Sequence, residues 1–114
     1  MKIIKKISGK YKIIENNGFG KEYKLDTNKL IFEGQYLNGK RNGKGKEYDY
    51  EGKLEFEGEY LNGERNGSGK EYYDDGKLKF EGEYLNGKKW DGKGYNKDGK
   101  LEYEIKNGTG KIIE

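Results

Sequence analysis

The chain has 114 residues, of which 30% are hydrophobic and 39% charged, with 24 basic side chains nearly balanced by 21 acidic ones. Length allows one domain, and the absence of Cys and His removes disulfides, thiolate metal sites, cysteine nucleophiles and the usual general base. Leu, Ile, Val and Phe fall under one-fifth of the residues, where disorder becomes a serious reading. The net charge of only +3 and aromatics recurring at fixed places argue for a folded chain instead.

Met1 to Gly9 carries positive charge but no apolar run of signal-peptide length, and no stretch approaches a transmembrane helix. The expected location is cytoplasmic, with a peripheral membrane position as the variant. Residues 1–16 read as an N-terminal half unit, because Ser8-Gly-Lys-Tyr11 aligns with Glu57-Gly-Glu-Tyr60. Full units follow at 17–41, 42–65 and 66–89, and 90–114 is a shortened closing unit. Repetition at a fixed period of about 24 residues is the signature of a repeat architecture.

Within a unit, Leu54, Phe56, Gly58 and Tyr60 alternate with Glu55, Glu57 and Glu59. Period two gives a strand with one apolar and one charged face, and the density of Gly excludes a helix. Glu51-Gly52 and Asp75-Gly76 mark tight hairpin turns, whereas Asn62-Gly63 through Asn66-Gly67 reads as a longer loop into the next unit. With Asp75-Gly76 as a two-residue loop, Gly69 faces Gly82 and Lys70 faces Glu81. The same count sets Gly45 opposite Gly58 and Lys46 opposite Glu57, and in the first unit Gly20 faces Gly34 and Lys21 faces Glu33 provided its extra residue sits in the turn. A three-residue loop would instead pair Tyr72 with Leu78. Nine or ten strands at roughly 4.8 Å each predict a sheet on the order of 45 Å long.

These units resemble the MORN repeat (membrane occupation and recognition nexus). Phe32-Glu-Gly-Gln-Tyr36, Phe56-Glu-Gly-Glu-Tyr60 and Phe80-Glu-Gly-Glu-Tyr84 stand where the family carries Tyr-x-Gly-x-Trp, and Lys70 to Lys79 is similar to the bacterial variant repeat. The resemblance implies an elongated all-β, single-layer antiparallel sheet of tandem hairpins. It also implies scaffolding through protein contacts, with anionic-lipid binding or antitoxin-like binding of a partner as alternatives. No family role maps onto particular residues.

No catalytic, cofactor or metal site is expected. Gly-x-Gly never extends into a phosphate loop, and Glu57, Glu59, Glu81 and Glu83 repeat along a solvated face, whereas an active site is a singular place. Two departures from the repeat nominate interaction residues. Trp90 is an extra residue beside Lys88 and Lys89, an anchor or a cover for the end of the stack. Lys5 and Lys6, with Lys2, Lys10 and Lys12, form a basic N-terminal cluster suited to weak contact with an anionic membrane. Ile residues gathered at both ends either close the terminal units or favour self-association through terminal strands. Lys alternates with Glu elsewhere, so nucleic acid is not expected as a partner.

Overall fold

In a computed structural model describing residues 3–113, the chain forms one open sheet of eleven strands arranged in chain order. The strands are β1 Ile3–Ser8, β2 Tyr11–Asn16, β3 Phe19–Lys24, β4 Leu30–Leu37, β5 Lys40–Tyr48, β6 Leu54–Leu61, β7 Glu64–Tyr72, β8 Leu78–Leu85, β9 Lys88–Tyr95, β10 Leu101–Lys106 and β11 Thr109–Ile112. Each is antiparallel to its neighbours. No helix occurs among the described residues, so none is long and apolar enough to cross a membrane.

Two kinds of turn alternate. On one side lie Asn-Gly pairs such as Asn62-Gly63, both with positive φ (49° and 89°), joining Leu61 directly to Glu64. Asn tolerates the left-handed region and Gly is at home there, so the pair makes the two-residue turn that matches strand twist. The longer loop expected over 62–67 is therefore absent. The chain turns at 62–63, and Asn66-Gly67 already belongs to β7.

On the other side, Tyr73 N–H donates to the Lys77 carbonyl at 2.9 Å and Gly76 N–H to the Tyr73 carbonyl at 2.9 Å. Asp74, Asp75 and Gly76 thus form a three-residue loop with Gly76 at φ 88°, not the two-residue loop of Asp75-Gly76. Tyr72 accordingly pairs with Leu78. A bulge then shifts the register by one, restoring Glu71 opposite Phe80, Lys70 opposite Glu81 and Gly69 opposite Gly82. Both pairings read from the sequence coexist, separated by one unpaired residue.

The core is a single file of rings on one face. Phe32, Phe56 and Phe80 are fully buried, and Tyr36, Tyr60 and Tyr84 nearly so. Phe32 and Phe56 each meet a Tyr of their own strand and one from the next hairpin edge-on, as Phe56 does Tyr60 at 5.8 Å and Tyr84 at 5.2 Å. The file ends with Phe80 stacked on Tyr103 at 6.3 Å. The rings lie across the paired glycines, where any added Cβ would collide with a ring or with the facing backbone.

A cation closes each step. Arg41 lies 4.0 Å over the Phe32 ring, Arg65 3.9 Å over Phe56, and Lys89 4.7 Å over Phe80. Arg41 binds Glu22 through Nε at 2.7 Å and Nη2 at 3.0 Å, and Tyr36 donates its hydroxyl to the same carboxylate. Arg65 repeats this on Glu47, at 2.9 and 3.1 Å, with Tyr60 as the second donor. Burial alone would raise the Glu47 carboxyl, but bonds from Arg65 and Tyr60 hold it below the usual carboxylate range. Burial and Glu47 together push the Tyr60 hydroxyl up. In the next step Glu71 is drawn to Arg65 at 3.0 Å and Lys89 at 3.2 Å. The buried Tyr84 hydroxyl beside it is left without a well-formed bond.

The shape follows from stacking hairpins with no second layer. Principal extents are 52 × 27 × 23 Å and the Cα radius of gyration is 15.5 Å, against about 13 Å for a compact domain of this length. The length exceeds the expected 45 Å because eleven strands form, not nine or ten. Small-angle scattering is expected to return an elongated particle, and a compact one would contradict the open sheet.

Candidate functional site: a charge-lined groove

Along the middle of the face opposite the rings the recurring side chains are charged. Cross-strand pairing runs Lys21, Glu33, Lys46, Glu57, Lys70, Glu81, Lys93, Glu104 and Lys111 in one line over β3 to β11, with sign alternating at every step. Among the described residues, only Lys70 and Glu81 of this line close to an ion pair, at 3.6 Å. Exposed pairs of this kind contribute roughly 0–1 kcal/mol each, so the line sets register and surface more than stability. Tyr48 donates to Glu33 at 2.7 Å and Tyr72 to Glu57 at 2.5 Å. Burial and these carboxylates push both phenols up to about 12.

A second line runs parallel to the first, two residues further along each strand that rises toward an Asn-Gly turn. It comprises Phe19, Gln35, Lys44, Glu59, Ser68 and Glu83. Wide bulges create it, since three residues, Asn66 to Ser68, oppose the single residue Glu59. Gly67, at φ 105°, makes that bulge, and Glu59 plugs it by accepting the Ser68 N–H at 2.9 Å. Gln35 does the same for Lys44 N–H at 2.7 Å. Between the two lines the paired glycines leave bare backbone, because their missing side chains would point to the ring face. One charged wall, a second wall of charged and neutral residues, and a floor of paired glycines bound an open groove of about 970 Å³.

The residues singled out in the sequence lie elsewhere. Lys89 is held by Glu71 at 3.2 Å and by the Tyr103 hydroxyl at 3.0 Å, taking Arg65's place in the stack. Lys88 is exposed beside the Asn86-Gly87 turn and pairs with Leu85. Trp90 is the bulged residue between Lys89 and Asp91, and a Cβ on Gly108 would lie 3.0 Å from its ring. It thus covers the last Asn-Gly turn while remaining 38% exposed. Lys5 and Lys6 sit on the fully exposed β1, and as successive strand residues they point to opposite faces. Lys2 lies outside the described residues. Eight strand spacings, about 38 Å, separate β1 from β9, so these residues form no common patch. Sequence reasoning did not gather Phe19, Gln35 and Ser68 into a site, because the bulges that align them have no period-two signature.

A family model for the MORN repeat matches residues 32–53 and 56–77. Those two segments are MORN repeats. Each match spans one hairpin of the ring-and-groove pattern, β4–β5 and β6–β7 with their turns. MORN repeats are in general non-catalytic units of binding scaffolds. Among solved structures, the chain resembles one titled "Crystal Structure of TarM", with a TM-score of 0.53 and 11% identity. The likeness covers 96% of this chain but only 21% of that one, and it concerns the fold alone. No curated protein matches the chain.

Proposed function

We propose that the chain is a non-catalytic scaffold that binds a protein partner, and that the groove is the surface it offers. The observation carrying this reading is the groove itself: about 970 Å³, walled mainly by polar and charged side chains over a floor of paired glycines. A polypeptide can lie along such a floor, where no side chain stands in its way, and the walls select it by charge. Antitoxin-like neutralisation of a partner would be one form of the same activity. Crosslinking through lysine in the source cells, read by mass spectrometry, is expected to join partner peptides to Lys44, Lys46 and Lys70. Partner peptides found only on Lys5, Lys6 or Lys88 would overturn the groove as the binding surface.

Peripheral binding to anionic lipid is the second reading, favoured by β1, where Lys5 and Lys6 sit among exposed Ile3, Ile4 and Ile7. Each well-placed basic residue adds about 1 kcal/mol on an anionic membrane. Lys5 and Lys6 face opposite ways, and Lys12 is turned onto the Tyr23 ring and Asn28. Co-sedimentation with anionic vesicles at about 0.15 M salt, where screening acts within roughly 8 Å, is therefore expected to be weak. Tight binding that disappears in a Lys5→Glu/Lys6→Glu variant would put the membrane first.

A further inference from the structure

The second line of the groove departs from its own pattern at one place. On β5, Lys44 stands between Gln35 and Glu59, so a cation meets a carboxylate across the strands. One unit later the same position is Ser68, flanked by Glu59 and Glu83. Its hydroxyl reaches Glu83 at 3.2 Å and its N–H reaches Glu59 at 2.9 Å. All three residues are exposed. Neither carboxylate makes a salt bridge among the described residues. A short side chain thus stands where the preceding unit has a lysine, with one carboxylate on each side of it.

The imbalance extends along the groove. Over β6 to β8 the walls carry Glu57, Glu59, Glu81 and Glu83 against Lys70 alone, whereas over β4 and β5 they carry Lys44 and Lys46 against Glu33. The groove is therefore polarised along its length, acidic toward β8 and basic toward β5. Such a surface orients a charged ligand as well as attracting it.

We propose that Ser68 marks an anchor pocket for a Lys or Arg side chain of an extended polypeptide segment of the partner, its cation seated between Glu59 and Glu83. This inference rests on the groove being the protein-binding surface. A guanidinium or ammonium there completes on Ser68 the alternation that Lys44 completes within the chain. The basic half of the groove, two strands away at about 9.6 Å, selects an acidic residue in the same segment. A polyproline-type chain brings every third residue to one side at about 9.3 Å, which sets the spacing at basic-x-x-acidic in either direction. The walls stand two strand residues apart, about 7 Å, too narrow for a helix about 10 Å across.

The test pans a phage-displayed library of linear twelve-residue peptides on the full chain. Synthetic copies of the enriched peptides are then titrated against the chain and its variants. Enriched peptides are expected to share a Lys or Arg with an acidic residue three positions away. Ser68→Lys, which seats the chain's own cation, is expected to weaken their binding about tenfold, and Glu83→Gln to weaken it in the same direction. Glu55→Gln, outside the groove, is expected to leave it unchanged. Since Lys44 holds the equivalent place on β5, Ser68→Lys should keep the circular dichroism of the parent. Peptides that lack a basic residue, or that bind Ser68→Lys as tightly, overturn the anchor. If Lys44→Glu still abolishes their binding, the groove reading survives that failure. A selection yielding no peptide sensitive to Lys44→Glu or Glu83→Gln overturns both.

Discussion

Phe56→Ala is expected to lower the unfolding free energy by about 3–5 kcal/mol, and Glu55→Ala by less than about 0.5 kcal/mol. Phe56 has no exposed surface and is held by Tyr60 at 5.8 Å, Tyr84 at 5.2 Å and the Arg65 guanidinium at 3.9 Å. Truncation removes the centre of that cluster, and the paired glycines beneath have no side chain with which to fill the space. Glu55, one residue earlier, is the unpaired bulge residue and is exposed. A domain of this kind has roughly 5–15 kcal/mol of stability in total, so the first change removes a large share. In a sheet one layer thick, no other core compensates for the loss. Urea titration of both variants tests this, and equal losses at the two positions would mean the faces are wrongly assigned.

The sequence carries the ring face because period two survives on it. Phe56, Gly58 and Tyr60 fall on one side, and the structure buries both rings there, Phe56 over the Gly58–Gly69 pair and Tyr60 against Gly45. Glu57 and Glu59 fall on the other side, in the groove walls. The central registers are legible for the same reason, since Lys46–Glu57 and Lys70–Glu81 are opposite charges at a fixed count from the turn.

What period two cannot carry are the residues that interrupt it. Glu55 continues the Glu57–Glu59 row in the sequence, yet as a bulge residue it leaves that row and lines a small cleft with Arg65, Glu71 and Lys79. Asn66-Gly67 has the composition of a loop, but sits inside β7 because Glu59 satisfies the bulge from across the sheet. Arg41 and Arg65 each stand three residues past the Asn of an Asn-Gly turn, Asn38 and Asn62. That recurrence is a sequence signal for their stacking on Phe32 and Phe56, and it lies outside the period-two pattern. Ser68 is visible only as a departure from Lys44, and it gains meaning once Glu59 and Glu83 are seen on both sides of it.

One substitution is expected to change sign with position, which tests the packing independently of any truncation. Gly69→Ala should destabilise by about 2–3 kcal/mol. A Cβ there would lie 2.7 Å from the Phe56 ring and 2.9 Å from the Tyr84 ring. Neither ring can retreat, because Arg65 covers Phe56 and both are enclosed by the stack. Gly110, on β11, also lies in a strand and outside the left-handed region, but a Cβ there meets only Ile105 Cγ1 at 3.9 Å, an ordinary contact. Gly110→Ala therefore keeps only the entropic effect on the unfolded chain, which favours the native state by about 0.4–1 kcal/mol. Thermal or urea unfolding of the two variants side by side should move the midpoint in opposite directions. A Gly69→Ala protein as stable as its parent would show that the rings do not press on the glycine spine, and the account of the core would fail with it.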